Sequence, residues 1–124
     1  AETHFVREFG TSAEKARLAV GTAEVERPIV DGMYKNGVSL YIGIPFCPTR
    51  CLYCSFVSNS VARSAKLIPE YLDCLMREIK YAADIIKGNG NVIETVYIGG
   101  GTPTTLSAEM LDRLFDCLYS KTDL

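Results

Sequence analysis

Three cysteines, Cys47, Cys51 and Cys54, stand within the run Ile44-Pro45-Phe46-Cys47-Pro48-Thr49-Arg50-Cys51-Leu52-Tyr53-Cys54. The spacing, C-x3-C-x2-C, puts three thiols on one short loop, where they can converge on a single inorganic centre. A cubane [4Fe–4S] cluster normally takes four protein thiolates. Three leave one iron without a protein ligand, and an open coordination position is what a metal needs in order to act on a substrate. Other uses of the thiols have to be weighed. A structural zinc site closes with four ligands, yet the only histidine, His4, lies far upstream, and Cys74 and Cys117 fall in helical patterns. A redox pair made of Cys51 and Cys54 would open a helix after a strand and has no need of Cys47. Three unliganded thiols brought together by chance is the remaining reading.

A second segment, Gly99-Gly100-Gly101-Thr102-Pro103-Thr104, follows a strand-like run. Glycine lets a backbone approach a ligand closely and adopt positive φ. It also leaves N–H and C=O groups free to meet a zwitterion. No Gly-Lys-Ser/Thr follows, so the segment is not a P-loop, and the G-x-G-x-x-G of a dinucleotide fold is incomplete. Alone, three glycines make a flexible turn. Their weight comes from standing one helix after the cysteine loop. Arg50 offers positive charge to a substrate carboxylate or to an anionic cluster, or else is a solvated loop residue. Cys74 and Cys117 read as buried small hydrophobes. His4 reads as an exposed terminal residue, and Asp73, Arg77 and Glu78 as a solvated helix face.

The elements that must hold these loops can be read from periodicity. Val38–Ile44 is rich in β-branched and aromatic residues after the turn signal Asn36-Gly37, which predicts a strand. Pro45 ends it, because proline cannot donate to a ladder. Leu72, Leu75, Met76, Ile79, Ala82, Ala83 and Ile86 recur at three- and four-residue steps, predicting a helix over Pro69–Lys87. Pro69 suits its first turn and Gly88-Asn89-Gly90 its end. Ile93–Ile98 predicts a second strand. Ser107 is a good N-cap for a second helix, with Leu106 and Leu111 placed for a hydrophobic staple. Met110, Leu111, Leu114, Phe115 and Leu118 form its expected core stripe. Residues 1–37 are an N-terminal lead-in, with a short helix over Ser12–Val20 and punctuation at Pro28, Gly32 and Gly37. The pattern strand, loop, helix, strand, loop, helix implies an α/β fold with parallel strands and right-handed crossovers. Both chemical loops follow the C-terminal ends of strands, the face where α/β folds place ligands.

Composition narrows the classes. The chain has 124 residues, 48% of them hydrophobic, which suffices for one domain with a buried core. A formal net charge of −2 with interspersed signs gives no reason to propose nucleic acid or an anionic membrane as partner. No apolar run is long enough for a membrane span, and the N-terminus has no signal-peptide pattern. Five cysteines, an odd number with three of them crowded together, do not suit a secreted disulfide framework. Clustered thiols point instead to metal in a reducing cytoplasm. Beginning at Ala1 and stopping at Ser-Lys-Thr-Asp-Leu, the sequence reads as a piece excised from a longer protein.

With these residues in view, the chain resembles the radical S-adenosylmethionine superfamily, through C-x3-C-x2-C with an aromatic, Tyr53, before the last cysteine. The runs YIGIPFCPTRCLYCSF and YIGGGTPTTL are similar to the oxygen-independent coproporphyrinogen III oxidase branch, which includes coproporphyrinogen dehydrogenase-like proteins and haem chaperones. The resemblance spans roughly Leu40 to Leu118. It implies that residues 38–124 are the N-terminal part of a TIM-like (β/α) barrel, two βα units long, with a [4Fe–4S] cluster at its mouth. It implies that Cys47, Cys51 and Cys54 ligate the cluster, and that S-adenosylmethionine chelates the free iron and is cleaved by one electron to a 5′-deoxyadenosyl radical. The cofactor carries the hard chemistry and the protein supplies position and exclusion. Tyr41, Tyr53, Gly100, Gly101 and Thr102 match contacts to S-adenosylmethionine, although Tyr41 also suits plain strand core. The implied activity is oxidative decarboxylation of coproporphyrinogen III in haem biosynthesis. The alternatives are a haem chaperone-like binding protein or a radical methyltransferase acting on haem. The implied partners are a tetrapyrrole substrate or haem, and a reductant such as flavodoxin or ferredoxin.

Two positions depart from the classical oxidases. Phe56 stands where they carry a fourth cysteine, and Gly43 where they carry a histidine. Both departures resemble, in part, the dehydrogenase-like and chaperone-like relatives, and they put the transfer of the decarboxylation in question. Two βα units cannot close a barrel, so this chain by itself is expected not to turn over.

Overall fold

The computed structural model describes residues 1–56 and 59–122. The last two positions of the predicted core, 123 and 124, lie outside the described residues. The chain divides into two units, Ala1–Lys35 and Asn36–Leu124.

The first unit is a pair of helices. Helix α1, Glu2–Phe9, ends at Gly10, whose positive φ of 62° is the left-handed cap that glycine takes without a Cβ clash. The lead-in pattern gave no sign of α1. Helix α2, Ala13–Asp31, starts where expected, with the Ser12 hydroxyl accepting the Lys15 N–H at 3.3 Å. It runs well past the expected end at Val20 and includes Pro28. Residues 22–27 are mostly good helix formers, and Pro28 falls in the last turn, where its carbonyl still accepts the Gly32 N–H at 3.1 Å. His4 is exposed and meets the Phe9 ring edge-on.

The second unit holds the strands. Strand β1 is Gly37–Ile44, and Pro45 separates it from the two-residue β2, Phe46–Cys47. A two-residue β3, Asn59–Ser60, leads into the short helix α3, Val61–Ser64, and a 3-10 turn. Helix α4 is Ile68–Gly88, β4 is Val92–Gly100 and α5 is Ala108–Tyr119. The expected long elements are all present. Strands β1 and β4 pair in parallel, with Tyr41 opposite Tyr97, Gly43 opposite Gly99 and Ile44 opposite Gly100. Strand β4 therefore continues through two glycines that sequence alone assigned to the loop. Pairing to β1 overrides their poor local strand propensity.

Alternation along β1 sends Ile42 and Ile44 into the core and Tyr41 to the opposite, exposed face. Ile42 and Ile44 pack with Leu72, Leu75 and Ile79 of α4 and Leu114, Cys117 and Leu118 of α5, closed at the ends by Phe46, Ile68 and Leu106. Leu111 packs, half-buried, against this cluster, of which Leu106 is a member. Two expectations fail. Phe115 is 41% exposed and stacks on Tyr119, because Cys117 takes the inward position in the next turn. Cys74 is exposed, with the Arg77 guanidinium 3.1 Å from its sulfur. It sits one step off the stripe formed by Leu72, Leu75 and Ile79. Cys117 is buried as expected, its Sγ 3.6 Å from the Met76 carbonyl. Asp73 and Arg113 join α4 to α5 at 2.6 Å, an exposed pair worth a fraction of a kcal/mol.

The architecture is a partial α/β fold in which strands and helices alternate, consistent with a radical S-adenosylmethionine-type (β/α) topology. Among the described residues, no helix is long and apolar enough to cross a membrane. Leu72 has no solvent exposure and lies at the centre of the core. Leu72→Ala is expected to destabilise this unit by about 2–5 kcal/mol, read as a lower denaturant midpoint with an unchanged slope.

Candidate active site

The cysteine loop is held at its base. Strands β2 and β3 pair in parallel, Phe46 with Asn59 and Cys47 with Ser60. The Asn59 N–H donates to the Pro45 carbonyl at 2.7 Å. Within the loop the Cys54 N–H donates to the Cys51 carbonyl at 3.1 Å, a turn that sets the spacing of the last two thiols.

The glycine loop is stitched to the same segment. The Gly101 N–H donates to the Ile44 carbonyl at 2.7 Å, and the Thr102 N–H to the Phe46 carbonyl at 2.8 Å. Gly100 has φ of 98°, a conformation that side chains resist, and a Cβ there would lie 2.8 Å from the Ile44 nitrogen. At Gly101 a Cβ would lie 2.7 Å from Cys47 Sγ and 2.7 Å from the Phe46 carbonyl oxygen. Glycine is needed here because the two loops touch.

One cavity of about 650 Å³ opens between them. Every site residue proposed from sequence lines it: Cys47, Cys51, Cys54, Tyr41, Tyr53, Gly100, Gly101 and Thr102. Gly43, Arg50 and Phe56 line it too. Cys47 and Cys54 are half-buried, Cys51 is exposed, and none is in a disulfide. Tyr41 is 62% exposed, so it is not strand core. Its ring stacks on Tyr97 with centroids 5.7 Å apart. The Tyr53 phenol is pushed above its ordinary value, first by its hydrogen bond with Cys51 and then by negative charge on that sulfur.

Sequence reasoning missed Tyr71 and Tyr97 on the cavity wall. A signal existed for Tyr97, which repeats the outward phase of Tyr41 in the partner strand. Tyr71 flanks the apolar stripe of α4, and its hydroxyl donates to the Gly43 carbonyl. Its ring meets Phe46 edge-on at 5.3 Å. Burial, followed by the nearby Glu78 charge, raises the Tyr71 phenol above its ordinary value. A raised acid favours its protonated form in the fold. That contribution is present below the unfolded tyrosine value and lost as pH rises through the folded one. Tyr71→Phe is expected to cost about 1 kcal/mol through the lost hydrogen bond, measured by denaturant unfolding near neutral pH.

The residues fit an iron–sulfur cluster in kind. Three thiols face one cavity, and the space beside Cys47 is kept clear by a glycine. Among the described residues, no three or more His, Cys, Asp or Glu side chains stand together as a ready group for a metal ion. The loop thus presents its thiols to a common space without drawing them together. When bound, a cluster with S-adenosylmethionine supplies one-electron bond cleavage. The chain's own part is to hold thiols on one side of the cavity, the glycine loop on the other with its Gly101 and Thr102 N–H groups already bonded to the Ile44 and Phe46 carbonyls, and aromatic rings around both.

Comparison with known proteins places this geometry. The chain is 36% identical over 105 residues to the oxygen-independent coproporphyrinogen-III oxidase-like protein HemZ of Bacillus subtilis, a match covering 83% of this chain and 21% of that protein. It is 41% identical over 85 residues to the anaerobilin synthase of Escherichia coli O157:H7, covering 68% of this chain and 19% of that one. It is 38% identical over 95 residues to the haem chaperone HemW of Mycobacterium tuberculosis, covering 76% and 24%. The chain spans about a fifth of the length of these curated relatives. No protein-family model matches it, and no solved structure does. A match covering 83% of a 124-residue chain necessarily reaches from Cys47 through Cys54 to Gly99, Gly100, Gly101 and Thr102. On these relatives and these two facing loops, the chain belongs to the radical S-adenosylmethionine superfamily and is related to haem-pathway proteins within it.

Proposed function

We propose that the chain is the cluster- and S-adenosylmethionine-binding part of a haem-handling protein, chaperone-like or haem-modifying, and not of a coproporphyrinogen decarboxylase. The observation that carries the reading is the common cavity of the two loops. Cys47, Cys51 and Cys54 take the cluster, while Tyr41, Tyr53, Gly100, Gly101 and Thr102 take S-adenosylmethionine. Residues 38–124 are the opening of a TIM-like barrel that further strands complete. Support for haem over coproporphyrinogen comes from two positions on the cavity wall. Gly43 and Phe56 stand where the classical oxidases, which this chain resembles only in part, place a histidine and a cysteine. The names of the relatives lean the same way, since haem chaperones recur among them. A cytoplasmic reductant such as flavodoxin or ferredoxin supplies the electron.

Anaerobic iron–sulfide reconstitution followed by EPR tests the first half. The expected result is a [4Fe–4S]+ signal that changes when S-adenosylmethionine is added. Stoichiometric zinc binding by a folded chain that never assembles a cluster would replace the reading with a structural metal module. The second half is tested on the full-length protein. Stoichiometric haem binding without turnover is expected of a chaperone, and an altered haem product of a haem-modifying enzyme. Conversion of anaerobic coproporphyrinogen III to protoporphyrinogen IX would restore the oxidase. The 124-residue chain itself is expected to release no 5′-deoxyadenosine above background.

A further inference from the structure

The cavity wall has an unequal chemistry. Five aromatic side chains contribute to it: Tyr41, Tyr53, Phe56, Tyr71 and Tyr97. Among the described residues no aspartate or glutamate does, and the one formally charged side chain on the wall is Arg50. Among the described residues, Arg50 forms no ion pair and no side-chain hydrogen bond. Neither Asp73–Arg113 nor Asp84–Lys121, two ion pairs of the same unit, involves a residue of this wall. An arginine cannot shed its charge, and its planar fork matches a carboxylate with two parallel N–H donors. Its place in the loop, directly before Cys51, holds it at the rim of the space that the thiols face.

We infer that Arg50 is the carboxylate-recognising residue of this cavity, selecting ligands that carry an acid group beside a flat or apolar body. The inference rests on the proposed cofactor and haem site, and it adds the feature that orients the ligand there. The aromatic rings accept a planar body in several orientations, because stacking has little directional preference. A single fixed positive charge removes that ambiguity. Two ligands of such a site carry a carboxylate: a tetrapyrrole through its propionate, and S-adenosylmethionine through its amino-acid end. The chemistry at Arg50 is the same for both.

Equilibrium dialysis of the chain under anaerobic, reducing conditions separates them. One arm compares coproporphyrin with its neutral tetra-amide. The other compares S-adenosylmethionine with its decarboxylated form. The parent chain is expected to prefer the carboxylate-bearing probe in at least one arm, and the arm that shows it names the source. Arg50→Gln is expected to weaken that binding about tenfold, the effect of one charge-assisted hydrogen-bonded contact, while binding of the probe that lacks the carboxylate is not weakened. Arg50→Lys is expected to recover part of the loss, since it keeps the charge and loses the fork. Circular dichroism of Arg50→Gln should match the parent. No carboxylate preference in either arm, or a preference that survives Arg50→Gln, overturns the inference. Cluster assembly is scored separately by iron and sulfide content. If the preference stands and no cluster forms, the proposed function fails and the role of Arg50 remains.

Discussion

Cys47→Ser is expected to abolish cluster assembly, leaving iron and sulfide contents at background and no reduced EPR signal. Serine keeps the size of the side chain and replaces a soft thiolate by a hard hydroxyl that stays protonated near neutral pH. Three thiols are the whole protein ligand set in the proposed site, so losing one leaves two. Cys47 is also the ligand whose surroundings are most fixed, paired through its backbone to Ser60 and set against Gly101. Cys74→Ser is the matching control. That thiol is exposed on α4, away from the cavity lining, and its replacement should leave iron content unchanged. A Cys47→Ser protein with the parent's iron, sulfide and EPR signal would remove the cysteine loop from the proposal altogether.

Gly101→Ala is expected to have the second largest effect, and a more selective one. The added Cβ would meet Cys47 Sγ and the Phe46 carbonyl oxygen at 2.7 Å, and the Ile44 carbonyl oxygen at 3.1 Å. Two of these three neighbours are backbone, so the loops must part. Parting strains the Gly101 and Thr102 hydrogen bonds to the segment before the cysteines. Overpacking of this kind typically costs about 1–3 kcal/mol. The same parting displaces the thiol beside the glycine, so the EPR change on adding S-adenosylmethionine should be lost even in molecules that still hold iron. Gly43→Ala provides the contrast on the same wall. Its added Cβ meets nothing nearer than a Tyr41 ring carbon at 3.5 Å, and the variant should fold and reconstitute like the parent. Equal behaviour of the two alanine variants would mean that the glycine loop is a turn and nothing more.

These expectations draw on what the sequence made legible and on what it hid. The long elements were readable because their apolar periods are local: Leu72, Leu75 and Ile79 announce a helix face without reference to any other part of the chain. The residues of the candidate site could be named because thiols at that spacing, one helix before a glycine run, stand out in the sequence, and the structure sets both loops around one cavity. What stayed hidden was set by distant partners. Gly99 and Gly100 are strand because Gly43 and Ile44 lie opposite, and no local propensity shows that. The β2–β3 pair joins two residues to two across the cysteine loop, too short for any period. Tyr71 enters the cavity through a carbonyl on another element. Cys74 and Phe115 were misplaced for a simpler reason. On a helix one step is a rotation of 100°, and each lies just outside the stripe that it was assigned to or thought to share.

The short β2–β3 pairing also changes the thermodynamics of assembly. A loop whose ends are free must lose chain entropy to bring distant ligands together, and that loss grows slowly with loop length. Here the ends are already joined, by strand pairing and by the Asn59 N–H on the Pro45 carbonyl. Closure has therefore been accomplished by folding before the proposed cluster assembles. What remains for binding is local adjustment of the thiols within a ring of fixed circumference. Affinity for the proposed cluster should then track the β2–β3 pairing: conditions that loosen β2 from β3 are expected to release it before the helices melt.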